Sequence, residues 1–346
     1  MIAVIDLFCG VGGLTHGFLK EGYNVVAGID TDHTCEYAYV KNNGANFLRQ
    51  SVADTTAEEL CSLYASATYK VLVGCAPCQQ FSLYNNHTVL NDKWNLLDTF
   101  AELVRQAEPD VVSMENVAEL MKYSIFRKFV RSLECYGYYV NAKLVNCVQY
   151  GIPQSRVRLV LLASKLGKIK LIEPIRTTGI YTTVWDAIGD LPSLKAGEVD
   201  KNDPLHRASK LTPINLKRIQ ASRPGGTWRD WPEELRLECH KKSSGLSYGS
   251  VYGRMKWNEP APTMTTQFNG IGNGRFGHPV QNRAISIREG AIFQTFPRDY
   301  EFFRCESEFS VEAVTRHIGN AVPVQLGRVI ARSIKLHLRE LTECRL

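Results

Sequence analysis

Along the first 165 residues, short apolar runs alternate with amphipathic stretches. Residues 3–8, 24–29, 70–73, 110–114, 138–145 and 158–163 have the length and apolar content of strands. Residues 14–21, 33–42, 57–65, 96–106 and 125–136 carry apolar side chains at helical spacing. This is the rhythm of βαβ units, and it predicts an α/β fold with a doubly wound, mostly parallel sheet. After Ser164 the chain turns polar and is punctuated by Pro and Gly, as in Pro224-Gly225-Gly226 and residues 269–274, which predicts a smaller, loop-rich region facing a partner. Helical periodicity returns over residues 322–341, with Arg328, Arg332, Lys335 and Arg339 on the polar side. The expected division is a first domain at 1–175, a second at 176–307, and a segment at 308–346 that returns to the first.

Composition adds a few exclusions. A chain of 346 residues, 44% hydrophobic and 22% charged, is neither low-complexity nor collagen-like. No run approaches the roughly 18 apolar residues of a membrane span. The opening segment meets Asp6 at once and lacks the basic start of a secretory signal, so an intracellular, cytoplasmic protein is expected. The 10 cysteines are scattered rather than dense, so most are expected to be reduced. The net charge of +6 hints at a polyanionic partner, and its placement strengthens the hint. Residues 205–256 hold 11 basic and 4 acidic side chains, leaving 30 and 31 for the rest of the chain.

Several motifs fall at the ends of predicted strands, where open α/β sheets place their chemistry. Asp6-Leu-Phe8-Cys-Gly10-Val-Gly12-Gly13-Leu14 follows the first strand; its Gly-x-Gly-Gly spacing suits either a cofactor-binding turn or a tight turn alone. Asp30, closing the second strand, lies where a ribose would offer its hydroxyls, or else caps a helix. Cys75-Ala-Pro77-Cys78-Gln79 could be a redox dithiol or could contain a lone nucleophile at Cys78. Zinc fits least, because no second Cys-x-x-Cys or His-x-His pair completes four ligands. Glu115-Asn116-Val117 places a carboxyl where burial is costly unless it is paired or protonated, and capping is the alternative. Gln154-x-Arg156-x-Arg158 leads into another strand, its two arginines suited to orienting the Glu, gripping an anion or standing in solvent. Gly319-Asn320-x-Val322 precedes the last helix.

Taken in this order, and with Arg283-x-x-x-x-Arg288-Glu289 through Phe296-Pro297, these blocks resemble the cytosine-C5 DNA methyltransferase family over nearly the whole chain. The resemblance implies a class I, Rossmann-like S-adenosylmethionine methyltransferase fold with a target recognition domain around the basic 205–256 segment. It implies that Cys78 is the nucleophile and Cys75 a packing residue. Glu115 would meet the cytosine ring at N3 and N4, and Arg158 its O2; Arg156 would hold the Cys78 loop or a phosphate, and Asn116 would orient the loop. S-adenosylmethionine would lie against Phe8, Gly10, Gly12, Gly13 and Leu14, with Asp30 on the ribose, Asp54 near the adenine amine and Thr31 also among the cofactor contacts. Pro77, Leu96, Asn320 and Val322 would close that pocket, and no metal is required.

The same resemblance makes double-stranded DNA the partner, with the target cytosine flipped out of the helix. The expected DNA contacts are Ser82, Arg223, Trp228, Arg254 and Arg275, with residues 80–95 closing over the flipped base. A monomer is expected, of the bacterial or phage modification type, with a cognate restriction endonuclease acting on the same site. Besides a catalytically inactive DNA-binding module, against which Cys78 and Glu115 argue, two alternatives stand beside this one. The first is a tRNA methyltransferase of the same family, although its expected Cys-Phe-Thr block is missing. The second is a thiol–disulfide oxidoreductase built on Cys75 and Cys78, which leaves Glu115, the two arginines and Asn320 unexplained.

Overall fold

The computed structural model describes residues 1–77, 95–175 and 179–343. In chain order the strands are β1 (Ile2–Leu7), β2 (Asn24–Asp30), β3 (Asn46–Arg49), β4 (Tyr69–Gly74), β5 (Val111–Val117), β6 (Tyr139–Asn146), β7 (Gln154–Ser155), β8 (Val157–Ser164) and β9 (Ala261–Pro262). The α-helices begin with α1 (Gly13–Lys20), α2 (Glu36–Asn43), α3 (Ala57–Tyr64), α4 (Asn95–Ala107) and α5 (Ser124–Cys135). They continue with α6 (Val184–Ile188), α7 (Pro213–Ala221), α8 (Glu238–Lys241), α9 (Ile287–Phe293), α10 (Val311–Asn320) and α11 (Val324–Glu343). Two compact units emerge. Unit 1 comprises Met1–Tyr150, Val157–Ile175 and Ala321–Leu346; unit 2 comprises Gly151–Arg156 and Arg176–Asn320.

Unit 1 is built on a seven-stranded sheet in the order β3-β2-β1-β4-β5-β8-β6. The pairs from β3 to β5 are parallel, and β8 runs antiparallel to both β5 and β6. This is the class I methyltransferase arrangement, a doubly wound and mostly parallel sheet. The central strands are apolar along their length because both faces are covered. Ile5, Leu7, Leu72, Val112 and Met114 pack into one core with Leu60 and Tyr64 of α3, Phe100 and Val104 of α4, and Phe129 and Leu133 of α5. A reciprocal box fixes the start of α3, in which Thr56 Oγ1 accepts from Glu59 N and Glu59 Oε2 accepts from Thr56 N. Helices α1 and α11 cross at two glycines. A Cβ on Gly17 would lie 2.6 Å from the backbone of Gly327, so the close approach requires both positions to stay small. The strand missing from the sequence pattern is β3, whose four residues at the edge of the sheet carry no periodic signal.

Unit 2 is loop-rich. Its regular β structure is the parallel pair β7 and β9, joined by isolated bridges that link Pro224, Arg254, Gly277 and Ala284. A ring cluster of buried Trp228, Trp231 and His240 with half-buried Tyr252 replaces a sheet as its organising centre. No described cysteine forms a disulfide. Among the described residues no helix is long and apolar enough to cross a membrane.

Candidate active site

The glycine turn after β1 is drawn tight by left-handed backbone at Phe8 (φ 58°), Gly10 (φ 51°) and Gly12 (φ 86°). Such a conformation is unfavourable at Phe8 and routine for the glycines. Gly12 N donates to Cys9 O at 2.9 Å, and Gly12 O accepts from His16 N at 2.8 Å, so the turn runs directly into α1. Asp30, at the end of β2, clamps the turn from the side. Its Oδ2 accepts from Gly10 N at 2.8 Å and its Oδ1 from Asp32 N at 2.9 Å. Each oxygen keeps a lone pair for a further donor.

Asp6 is buried at the end of β1 and accepts from Thr15 Oγ1 at 2.7 Å, while Thr15 Oγ1 lies 3.1 Å from the Tyr39 hydroxyl. Tyr39 reaches this point because residue 28 is glycine; a Cβ there would stand 2.4 Å from the Tyr39 ring and 2.7 Å from Cys9 Sγ. Burial pushes the Asp6 carboxyl up to about 7 against the lowering effect of the Thr15 bonds, with a smaller upward push from Asp30. Burial, with Asp6 and Asp30 nearby, also pushes the Cys9 thiol up, so it remains protonated.

The second cluster lies where β4 and β5 end. Their parallel register pairs Gly74 with Met114, which brings the next residues, Cys75 and Glu115, side by side. Glu115 is only 2% exposed. Cys75 Sγ donates to Glu115 Oε2 at 2.9 Å, and Arg158 Nε lies 3.2 Å from Oε1. Arg158 is brought there by the antiparallel pairing of β5 with β8, which sets Glu115 opposite Val160 and Val117 opposite Arg158. Residues 158 and 160 share a face, so the guanidinium is a diagonal neighbour of the carboxyl. Asn116, also buried, donates from Nδ2 to Ala76 O at 2.9 Å and accepts from Val117 N at 2.9 Å. The loop that leads to Cys78 is therefore tied to β5 by two side chains.

The remaining candidates are distributed as follows. Cys78 and Ser82 lie outside the described residues, as does most of the 80–95 segment. Leu14 and Val322 are buried in unit 1, Leu96 is half-buried on α4, and Thr31, Asp54 and Pro77 are exposed. Asn320 is the exposed last residue of α10, in unit 2. Arg156, too, falls in unit 2, where its Nη1 donates to Met264 O at 3.1 Å. Gln154 anchors the same corner, donating to Phe293 O and Gln294 Oε1 and accepting from Met264 N.

Two of the expected DNA contacts point inward. Trp228 is 2% exposed, stacks on His240 at 4.2 Å and donates its indole N–H to Tyr248 O. Arg254 spends all five N–H donors on Ser222 O, His278 O, Gln281 O, Ile219 O and Asn282 Oδ1. Both side chains hold unit 2 together, which leaves Arg223 and Arg275 as the accessible cations of the expected set. Arg223 is exposed and pairs with Asp230 at 3.0 Å. Half-buried Arg275 donates to Gly225 O at 2.6 Å and Gly226 O at 3.1 Å.

A model of the C-5 cytosine-specific DNA methylase family matches residues 2–336. The chain belongs to this family. It is 56% identical over 344 residues to the Type II methylase M.HgiDII of Herpetosiphon aurantiacus, covering 99% of this chain and 97% of the relative. Identity to the Type II methyltransferase M1.HphI of Haemophilus parahaemolyticus is 30% over 343 residues, covering 96% and 86%. Among solved structures, a prophage-encoded E. coli protein assigned as a DNA modification methyltransferase superposes with a TM-score of 0.73 at 20% identity, covering 98% of this chain and 100% of that one. DNMT2 of Spodoptera frugiperda gives 0.67 at 15%, covering 96% and 99%. At these identities the structural likenesses speak for the fold alone.

For a cytosine-5 methylase, the sequence motifs did not reveal two of the contacts. One is the Cys75 thiol on Glu115, which follows from the register of β4 and β5 and could be found only by aligning the two strand ends. The other is the Thr15 bond to Asp6, one turn into α1 and without motif character.

Proposed function

We propose that this methylase transfers a methyl group from S-adenosylmethionine to C5 of a flipped-out cytosine in a specific duplex DNA sequence. It would work as a cytoplasmic monomer whose Type II relatives suggest a partner restriction endonuclease. The observation that carries the reading is Glu115, a buried carboxyl held between a thiol and a guanidinium in a chain of this family.

The cofactor fits the glycine turn. The space around Gly10 is open, since an added Cβ would meet nothing within 4 Å, and the Asp30 carboxylate keeps lone pairs for ribose hydroxyls. Phe8, Gly12, Gly13, Leu14, Thr31, Asp54, Pro77, Leu96, Asn320 and Val322 complete the proposed set. When bound, S-adenosylmethionine supplies an electrophilic methyl group, so no metal is needed to activate it.

C5 of cytosine is a weak nucleophile. The Cys78 thiolate adds to C6, and the electron pair of the C5=C6 bond moves toward N3, which leaves an enamine nucleophilic at C5. Glu115 donates a proton or hydrogen bond to N3 and accepts from the N4 amine, and Arg158 holds O2. After C5 is methylated, water takes its proton, the C6–S bond breaks to release Cys78 as the thiolate, and the proton at N3 returns to Glu115. Arg156 and Asn116 keep the surrounding loops in place.

Unit 2, which contains the basic 205–256 segment, would grip and read the duplex, with Arg223 and Arg275 at its surface and Ser82, four residues after Cys78, as a further contact. The test is incubation with tritiated S-adenosylmethionine and either DNA or tRNA, followed by digestion to nucleosides. The expected label is 5-methylcytosine from DNA, abolished by Cys78→Ser; label confined to tRNA, or on another base, overturns the reading.

A further inference from the structure

We infer that Cys75 is a positioning residue for the methyl-transfer site, its thiol fixing the plane of the Glu115 carboxyl. The inference rests on the proposed role of Glu115 and adds a residue to it. The terminal torsion of a glutamate is broad, so burial alone does not decide where its two oxygens point. Here each oxygen has a neighbour. Cys75 Sγ donates to Oε2 at 2.9 Å, and Arg158 Nε stands 3.2 Å from Oε1. A carboxyl that must present a donor to one ring atom and an acceptor to the adjacent amine gains from having its plane fixed in advance by the bond to Oε2, because misorientation at the reacting centre is costly in rate.

The backbone at Cys75 is itself held firmly. Gly74, the preceding residue, is closely hemmed in: a Cβ would lie 3.0 Å from Leu7 O. Cys75 N donates to that same carbonyl at 3.3 Å, and Ala76 O accepts from Asn116 at 2.9 Å. The thiol is thus delivered to Glu115 by backbone fixed on both sides. This is more than packing, for which an apolar side chain of similar size would serve. It also gives the first cysteine of the Cys-x-x-Cys sequence a task in the reduced enzyme that needs no redox chemistry.

The experiment compares Cys75→Ser, which keeps a hydrogen-bond donor, with Cys75→Ala, which does not. The probe is a long duplex carrying 5-fluorodeoxycytidine in place of deoxycytidine throughout. It contains every short recognition sequence, and its fluorine blocks the final proton loss, so the protein–DNA adduct persists. With S-adenosylmethionine present, adduct formation should slow about 10-fold in Cys75→Ala, the upper range for losing one ordinary hydrogen bond. Cys75→Ser should restore it to within about threefold, and the Kd values for cofactor and DNA should stay at wild-type levels in both. An Ala variant as fast as wild type, or a Ser variant as slow as Ala, overturns the inference.

A folding defect in the Ala variant is covered by infrared spectroscopy. The S–H stretch of Cys75, assigned by difference against Cys75→Ser, should lie below that of an exposed thiol and shift in Glu115→Gln. An unshifted band overturns the inference. Failure of the wild-type protein to form any adduct would instead overturn the proposed function.

Discussion

Arg283 and Glu289 meet in the interior of unit 2 through two 2.7 Å contacts, with 0% and 1% of their side chains exposed. Glu289 also accepts from Ser286 N, and His278 Nε2 lies 3.8 Å from it. Burial pushes the Glu289 carboxyl up, but the Arg283 bonds outweigh it and hold the carboxyl below its ordinary range. Removing one partner leaves the other charge buried and uncompensated, which typically costs about 3–5 kcal/mol, whereas replacing both by apolar groups costs much less. Arg283→Met should therefore destabilise the protein by about that amount, and Arg283→Met with Glu289→Leu should recover most of it. Urea titration followed by tryptophan fluorescence checks this, since Trp228 and Trp231 lie in the same unit. Equal midpoints for the single variant and wild type would rule out the assigned role.

Asp6 gives a pH signature of the opposite kind from a salt-bridged carboxylate. With its folded value raised from 3.8 to about 7, the folded protein keeps a proton that the unfolded chain releases across that interval. Stability therefore falls as pH rises from about 4 to about 7 and levels off above it. Asp6→Asn keeps a carbonyl acceptor for Thr15 and cannot ionise. Its Tm should gain steadily on the wild-type Tm between about pH 4 and pH 7 and hold a constant lead above that. A constant difference across that range would show that Asp6 is not protonated in the fold.

Much of this was legible in the sequence because the central strands of unit 1 are covered on both faces. Val71–Val73 and Val111–Val112 form apolar runs that only a buried strand explains, and Glu115 stands out where such a run ends. The carboxyl was visible for the same reason that it is costly. Pairings that depend on register or on long-range closure were not visible. Arg254 resembles any other cation of a basic stretch until Ser222, His278 and Gln281 supply carbonyls from distant parts of the chain. Trp228 looked like a surface aromatic because its partner His240 is 12 residues away in a stretch without periodicity.

The crossing of α1 and α11 joins the glycine turn after β1 to the last helix. Gly17→Ala would set a Cβ 2.6 Å from Gly327, and overpacking of this kind typically costs about 1–3 kcal/mol. Since α1 begins at Gly13, directly after the glycine turn, the displacement should also weaken S-adenosylmethionine binding. Thermal melting and calorimetric titration should both register the change; a variant with wild-type Tm would show that the helices separate without cost.

Two arginines of the basic segment should separate folding from DNA binding. Arg254 has all five donors committed to unit 2, so Arg254→Ala leaves several buried carbonyls without partners and should lower stability by about 3 kcal/mol or more. Arg223 is largely exposed, and surface ion pairs such as its bond to Asp230 contribute about 0–1 kcal/mol, so Arg223→Ala should melt with wild type. Its effect should appear in DNA affinity. A cation that neutralises one phosphate adds about 1 to the slope of log K against log salt, so reversing Arg223 together with neighbouring Lys256 should reduce that slope by about 2 while leaving cofactor binding unchanged. Affinity measured by fluorescence anisotropy across a salt series tests the pair. An unchanged slope would place the phosphate-binding cations elsewhere and remove this face of unit 2 from the proposed DNA interface.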